Sequence, residues 1–69
     1  MVEKLTKVES PIFNERYEGE FGSKHVVCIL DNNCVRYIGF EKGKRVTRRE
    51  YGNDKKATCM ARAMAWLNK

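Results

Sequence analysis

Two turn signals divide the chain between Lys24 and Tyr51, and they leave room for little except a short antiparallel meander. His25 to Leu30 is apolar and rich in β-branched residues, the composition of a buried strand. Asp31-Asn32-Asn33 follows, and Asp and Asn tolerate the left-handed backbone a turn needs. Cys34 to Phe40 reads as a second strand. Glu41-Lys42-Gly43-Lys44 reads as a second turn, with Gly43 free to take positive φ. Arg45 to Tyr51 is a third strand, broken by Gly52-Asn53.

A helix is expected from about Asp54 to Asn68, with Asn53 or Asp54 capping its first turn. Ala57, Met60, Ala61, Met64 and Leu67 recur at helical spacing and form one apolar stripe. On a helical wheel Lys55, Arg62 and Lys69 gather on the opposite side, and Trp66 falls near them. Trp66 is then either covered by the leader, through Phe13 or Tyr17, or exposed to a partner. The covered reading is preferred, because large exposed aromatics are uncommon without a role.

The leader is weakly patterned. Val2, Leu5 and Val8 fit one or two helical turns that Ser10-Pro11 would end, residues 12–18 read as a candidate strand, and Gly19 and Gly22-Ser23 read as a flexible joint. The expected architecture is therefore α+β. A three-stranded antiparallel sheet, four-stranded if the leader adds a strand, packs on one C-terminal helix (β-β-β-α). Residues 1–23 form an N-terminal extension and residues 24–69 the domain proper.

The chain has 69 residues, 42% of them hydrophobic, which allows a thin core and leaves little room for a deep substrate pocket. No apolar run approaches the roughly 18 residues of a membrane span, and the N-terminus has no apolar signal core. Cys28, Cys34 and Cys59 are odd in number and lack C-x-x-C spacing, so reduced thiols in a cytoplasmic protein are expected. With His25 as the single histidine, no metal site is expected. On a strand, His25 and Cys28 point to opposite faces and cannot act as base and nucleophile. Gly39, Gly43 and Gly52 are too scattered for a phosphate loop. No enzyme and no cofactor is expected.

Charge supplies the functional reading. Residues 1–20 set Lys4, Lys7 and Arg16 against five glutamates, whereas residues 21–69 set eleven Lys/Arg against Asp31, Glu41, Glu50 and Asp54. Such a basic part points to a polyanionic partner, nucleic acid above all. A tight turn at Lys42-Gly43 would pair Phe40 with Arg45, Ile38 with Thr47 and Arg36 with Arg49. One face of the ribbon then shows Arg36, Ile38, Phe40, Arg45, Thr47 and Arg49. The other shows Val35, Tyr37, Gly39, Val46 and Arg48, and takes the helix, with Gly39 permitting close approach. Arginines directly across a sheet repel each other, so their pairing would favour a partner. Arg, Thr and an aromatic on a β-ribbon suit the DNA major groove, while Lys42 and Lys44 at the turn and Lys55 and Lys56 at the helix start can meet phosphates.

From Cys34 to Leu67 the chain resembles the three-stranded-sheet DNA-binding domains of the Apetala type, an architecture shared by phage integrase arm-binding domains. The hairpin Gly43-Lys44-Arg45-Val46, the Tyr51-Gly52-Asn53 link and the helix Ala57-Thr58-Cys59-Met60-Ala61-Arg62-Ala63 carry the resemblance. It implies that the sheet reads the major groove, with Arg36, Arg45, Thr47 and Arg49 at contacting positions. Asp54-Lys55-Lys56-Ala57 followed by Ala61 and Ala65 is similar to the last motif of double-stranded-RNA-binding domains, where paired lysines grip phosphates. A rival class is a protein-binding inhibitor or adaptor, of the size of small phage proteins that target a host enzyme. Such a protein would engage an acidic protein surface through the hairpin or through Trp66 and Arg62.

Overall fold

The computed structural model describes residues 1–9, 12 and 15–69. Five strands precede one helix: β1 (Thr6–Val8), β2 (Glu15–Phe21), β3 (Lys24–Leu30), β4 (Cys34–Glu41), β5 (Lys44–Gly52) and α1 (Lys56–Leu67). The strands form one antiparallel sheet in chain order, β1-β2-β3-β4-β5. The expected three- or four-stranded sheet is thus corrected to five strands, and the protein is mostly β. Val8 and its neighbours pair with β2 instead of turning into a helix.

The candidate strand at 12–18 overlaps β2 at residues 15–18, but the signal of both leader strands is weak. β2 (ERYEGEF) mixes charges with a glycine, and β1 has three residues. What holds β2 is the neighbouring strand: all seven of its residues pair with β3. Gly22 and Ser23 form the tight turn between them, with Gly22 at φ 64°, where a flexible joint was expected. The part of the leader reading that falls on residues 10, 11, 13 and 14, including Phe13 as a cover for Trp66, lies outside the described residues.

The β4–β5 turn has positive φ at both Lys42 (53°) and Gly43 (82°). That is the two-residue geometry matching the natural twist of a hairpin. The Lys42 N–H also donates to the Ser23 carbonyl at 3.0 Å, tying the two turns together. At the other end of the sheet the Asp31 carboxylate accepts from the Asn33 N–H at 3.0 Å, which fixes the β3–β4 turn.

α1 lies across one face of the sheet. The core between them holds Leu5, Val26, Cys28, Leu30, Val35 and Tyr37 below, with Cys59, Ala63 and Leu67 above. The helix is rotated relative to the expected stripe: Ala57 and Ala61 are exposed, and Cys59 and Ala63 are buried in their place. It also begins at Lys56, and no side chain caps it, so neither Asn53 nor Asp54 takes that role. Asn53 instead donates from Nδ2 to the Asn32 carbonyl.

The same rotation turns Trp66 toward the sheet. A Cβ on Gly39 would sit 2.8 Å from both Cη2 and Cζ3 of Trp66, and 2.7 Å from Cγ2 of Thr47. The expected close approach at Gly39 is therefore made by Trp66 itself, which was expected to face away. Lys24 Nζ lies 5.4 Å from the centre of the same ring, and donates to the Lys69 carbonyl at 3.1 Å. Across the termini, Asn68 donates to the Val2 carbonyl and accepts from the Val2 N–H, at 2.8 and 2.9 Å.

Gly39→Ala should cost about 1–3 kcal/mol by overpacking against Trp66 and Thr47. Urea unfolding followed by Trp66 fluorescence measures it, and an unchanged midpoint would contradict this packing. Lys42→Asn should stabilise the hairpin by up to about 1 kcal/mol, because Asn adopts positive φ at lower cost than Lys.

Candidate nucleic-acid interface

β5 is an edge strand of nine residues, most of them exposed, and it carries Lys44, Arg45, Arg48 and Arg49. Its pairing with β4 decides which way each cation faces. From the turn Glu41 pairs with Lys44, and Phe40 pairs with Arg45 as expected. It then shifts at Gly39/Phe40: Gly39 pairs with Thr47, Ile38 with Arg48, Tyr37 with Arg49, and Arg36 with Glu50. One additional residue on β5, Val46, is accommodated as a bulge, and every later side chain changes face.

The expected array of arginines on one face is therefore corrected. Arg36 and Arg49 are not opposite each other, and they lie on different faces. Thr47 and Arg49 stand on the helix side, and Arg48, expected beneath the helix, stands on the open side beside Ile38. The open face keeps Arg36, Ile38, Phe40 and Arg45 of the expected set, but it also carries acids. Arg16 pairs with Glu18 at 2.9 Å, Arg48 pairs with Glu50, and His25 stands between Glu18 and Glu20 at 3.0 and 3.2 Å. Phe40 is half-buried, its ring centre 6.0 Å from that of His25. This face is a charge mosaic, and its cross-strand repulsion is relieved: Glu50 stands opposite Arg36.

The helix side gains what the open face loses. Between β5 and α1 runs a groove of about 620 Å³. The sheet contributes Tyr37, Thr47, Arg49, Glu50 and Tyr51 to its lining; the helix side contributes Thr58, Arg62, Ala65, Trp66 and Lys69. So Thr47, Arg49, Arg62 and Trp66, assigned from sequence to two separate surfaces, share one groove. Sequence reasoning missed Tyr37, Tyr51, Thr58 and Lys69. For the two tyrosines the signal lay in the pairing of Tyr37 with Arg49 and Val35 with Tyr51, legible only once the bulge is known, and for Thr58 and Lys69 it lay in the rotation of the helix. Burial, with the Tyr51 phenol beside it, raises the Tyr37 pKa above the usual phenol value, and the Arg49 guanidinium acts in the opposite sense.

The expected lysines do not line this groove. Lys42 and Lys44 are exposed at the hairpin turn, and Lys55 and Lys56 are exposed at the start of α1. From Lys44 to Lys69 eight Lys/Arg stand against Glu50 and Asp54, and Glu50 is engaged by Arg48. Glu15, Glu18 and Glu20 lie on β2, toward the opposite edge of the sheet. The sheet thus separates charge, acidic toward β1–β2 and basic at β5–α1.

Among the described residues no group of three or more His, Cys, Asp or Glu is placed to hold a metal, and no helix is long and apolar enough to cross a membrane. His25 and Cys28 stand on opposite faces of β3, as their spacing requires. Cys28 and Cys59 are both fully buried and meet across the sheet–helix interface. Hydrogen bonding to the Cys59 thiol, together with burial, pushes the Cys28 thiol far above its ordinary pKa. No protein-family profile, curated protein or solved structure matches this chain.

The two buried thiols should resist a thiol reagent in the native protein, leaving Cys34, which is half-buried, as the reactive one. Mass spectrometry after brief maleimide treatment should find a single adduct at Cys34, and all three cysteines modified in denaturant. Native labelling of Cys28 or Cys59 would contradict the packing of α1 on β3.

Proposed function

We propose that this protein is a non-catalytic nucleic-acid-binding module whose contact surface is the β5 edge and the adjoining side of α1. The observation that carries this reading is the separation of charge across the sheet. Lys42, Lys44, Arg45 and Arg49 along the hairpin, with Lys55 just before the helix and Lys56 and Arg62 on it, are exposed, and few carboxylates lie among them. Fixed cations gathered on one side of a small domain attract a phosphate backbone and release its counterions. From the sheet face opposite the helix only Arg45, on the edge strand, belongs to this surface, because Arg16 and Arg48 on that face are paired with Glu18 and Glu50. The resemblance of residues 34–67 to sheet-reading DNA-binding domains agrees with the polyanion partner, and the register of β5 moves the contact to the edge.

A protein-binding role is the second reading, and one feature favours it. β5 is an edge strand, so one side of its backbone is available for an added strand from an acidic partner.

Salt dependence separates the two. Fluorescence anisotropy with a labelled oligonucleotide of about 16 nucleotides should show affinity falling at least about 100-fold between roughly 50 and 200 mM salt. Arg45→Glu combined with Lys56→Glu, both at exposed positions, should abolish binding while leaving the circular dichroism spectrum unchanged. Affinity unaffected by that double reversal would overturn the proposed surface.

A further inference from the structure

We infer that the groove between β5 and α1 receives an unpaired nucleobase, so that the preferred ligand is a single strand and not a duplex. This rests on the nucleic-acid reading above and assigns it a specificity.

Three properties of the groove support the inference. Its volume, about 620 Å³, is within the range of pockets that hold small organic ligands, which a nucleotide also fits. Its lining is aromatic as well as cationic: Trp66 and Tyr51 stand with Arg49, Arg62 and Lys69, and the one carboxylate among the lining residues, Glu50, is paired with Arg48. A purely phosphate-binding surface has no use for aromatic rings, whereas a base stacks on them whatever its sequence. Thr58 and Arg62 add hydrogen-bonding groups from the helix side that can meet a base edge or a sugar hydroxyl.

Geometry sets the choice between single strand and duplex. The rings do not stand on an open sheet surface. They line a recess flanked by β5 on one side and α1 on the other. In a duplex the bases are stacked and paired, with only their edges in the grooves, and none can enter such a recess without being unstacked. A single strand pays little for turning one base aside. Its backbone can then run along the exposed cations of β5, with Lys44 and Arg45 toward one end and Lys55 and Lys56 toward the other. Trp66 is held for this role from below, because its ring edge rests on Gly39 and cannot sink further into the sheet.

Trp66 is the only tryptophan in the chain, so its fluorescence reports on the groove directly. The test titrates the full chain with oligo(dT), oligo(U) and a duplex, each of about 12 nucleotides per strand, and repeats the titrations with Arg62→Glu and Arg45→Glu. The expected result is quenching of Trp66 by either single strand, with affinity at least about tenfold above that for the duplex. Arg62→Glu should reduce single-strand affinity about tenfold and leave duplex affinity nearly unchanged, whereas Arg45→Glu should weaken both. Equal affinity for single strand and duplex with no quenching would overturn the groove assignment and leave the nucleic-acid reading intact. No binding of any of the three oligonucleotides would overturn both.

Discussion

The structure depends on β3 being buried from both sides. Val26, Val27, Cys28, Ile29 and Leu30 are all buried, although the sheet has a helix on one face only. Val26, Cys28 and Leu30 face α1 and form the main core. Val27 and Ile29 face the other way and have no element above them among the described residues. Each stands between longer side chains of the adjacent strands: Glu18 and Ile38 flank Val27, and Arg16 and Arg36 flank Ile29. Their aliphatic stems can cover apolar surface while the charged ends stay in water. A chain of this size cannot supply a second layer, and it uses a wide sheet with salt-bridged margins instead. That requirement explains why the leader forms strands. Without β2, β3 would be an edge strand with an exposed backbone and an exposed apolar face.

Packing on the helix side follows from the same economy. A single twelve-residue helix closes the core, so it must approach the sheet closely. Gly39 and Ala63 make this possible, one by having no side chain and the other by having a small one. The Cys28–Cys59 contact and the Trp66–Gly39 contact then fix the rotation of the helix. Neither is an ion pair or a metal site. Both are matters of shape, and they place Arg62 and Lys69 beside the groove and leave Ala57 and Ala61 in solvent.

The functional surface is set by a smaller feature. One extra residue in β5, Val46, exchanges the faces of Thr47, Arg48 and Arg49. Without it, the hairpin would present Arg36 and Arg49 together on the open face and turn Arg48 toward the helix. With it, Arg48 can pair with Glu50 on one side while Arg49 meets Tyr37 on the other. Under the proposed function the bulge therefore decides whether the protein reads a polyanion with its face or with its edge.

The sequence by itself determined the meander from Lys24 onward, its two turns, the C-terminal helix and the uneven distribution of charge. These are local properties: β-branched runs, residues that accept positive φ, helical spacing and formal charge act over a few neighbouring positions. Tertiary structure alone decided three other matters. β1 became a strand and β2, marked in the sequence only as a candidate over 12–18, took its bounds from β3; the helix took its rotation from Cys28 and Gly39; and the bulge at Val46 distributed the arginines between two faces. A two-residue periodicity is exact only while the ladder is regular, and the local sequence does not mark where one residue will be left unpaired. So the cations were legible as a set, and the groove that gathers four of the expected site residues with Tyr37, Tyr51, Thr58 and Lys69 became visible only when strand register and helix packing were fixed together.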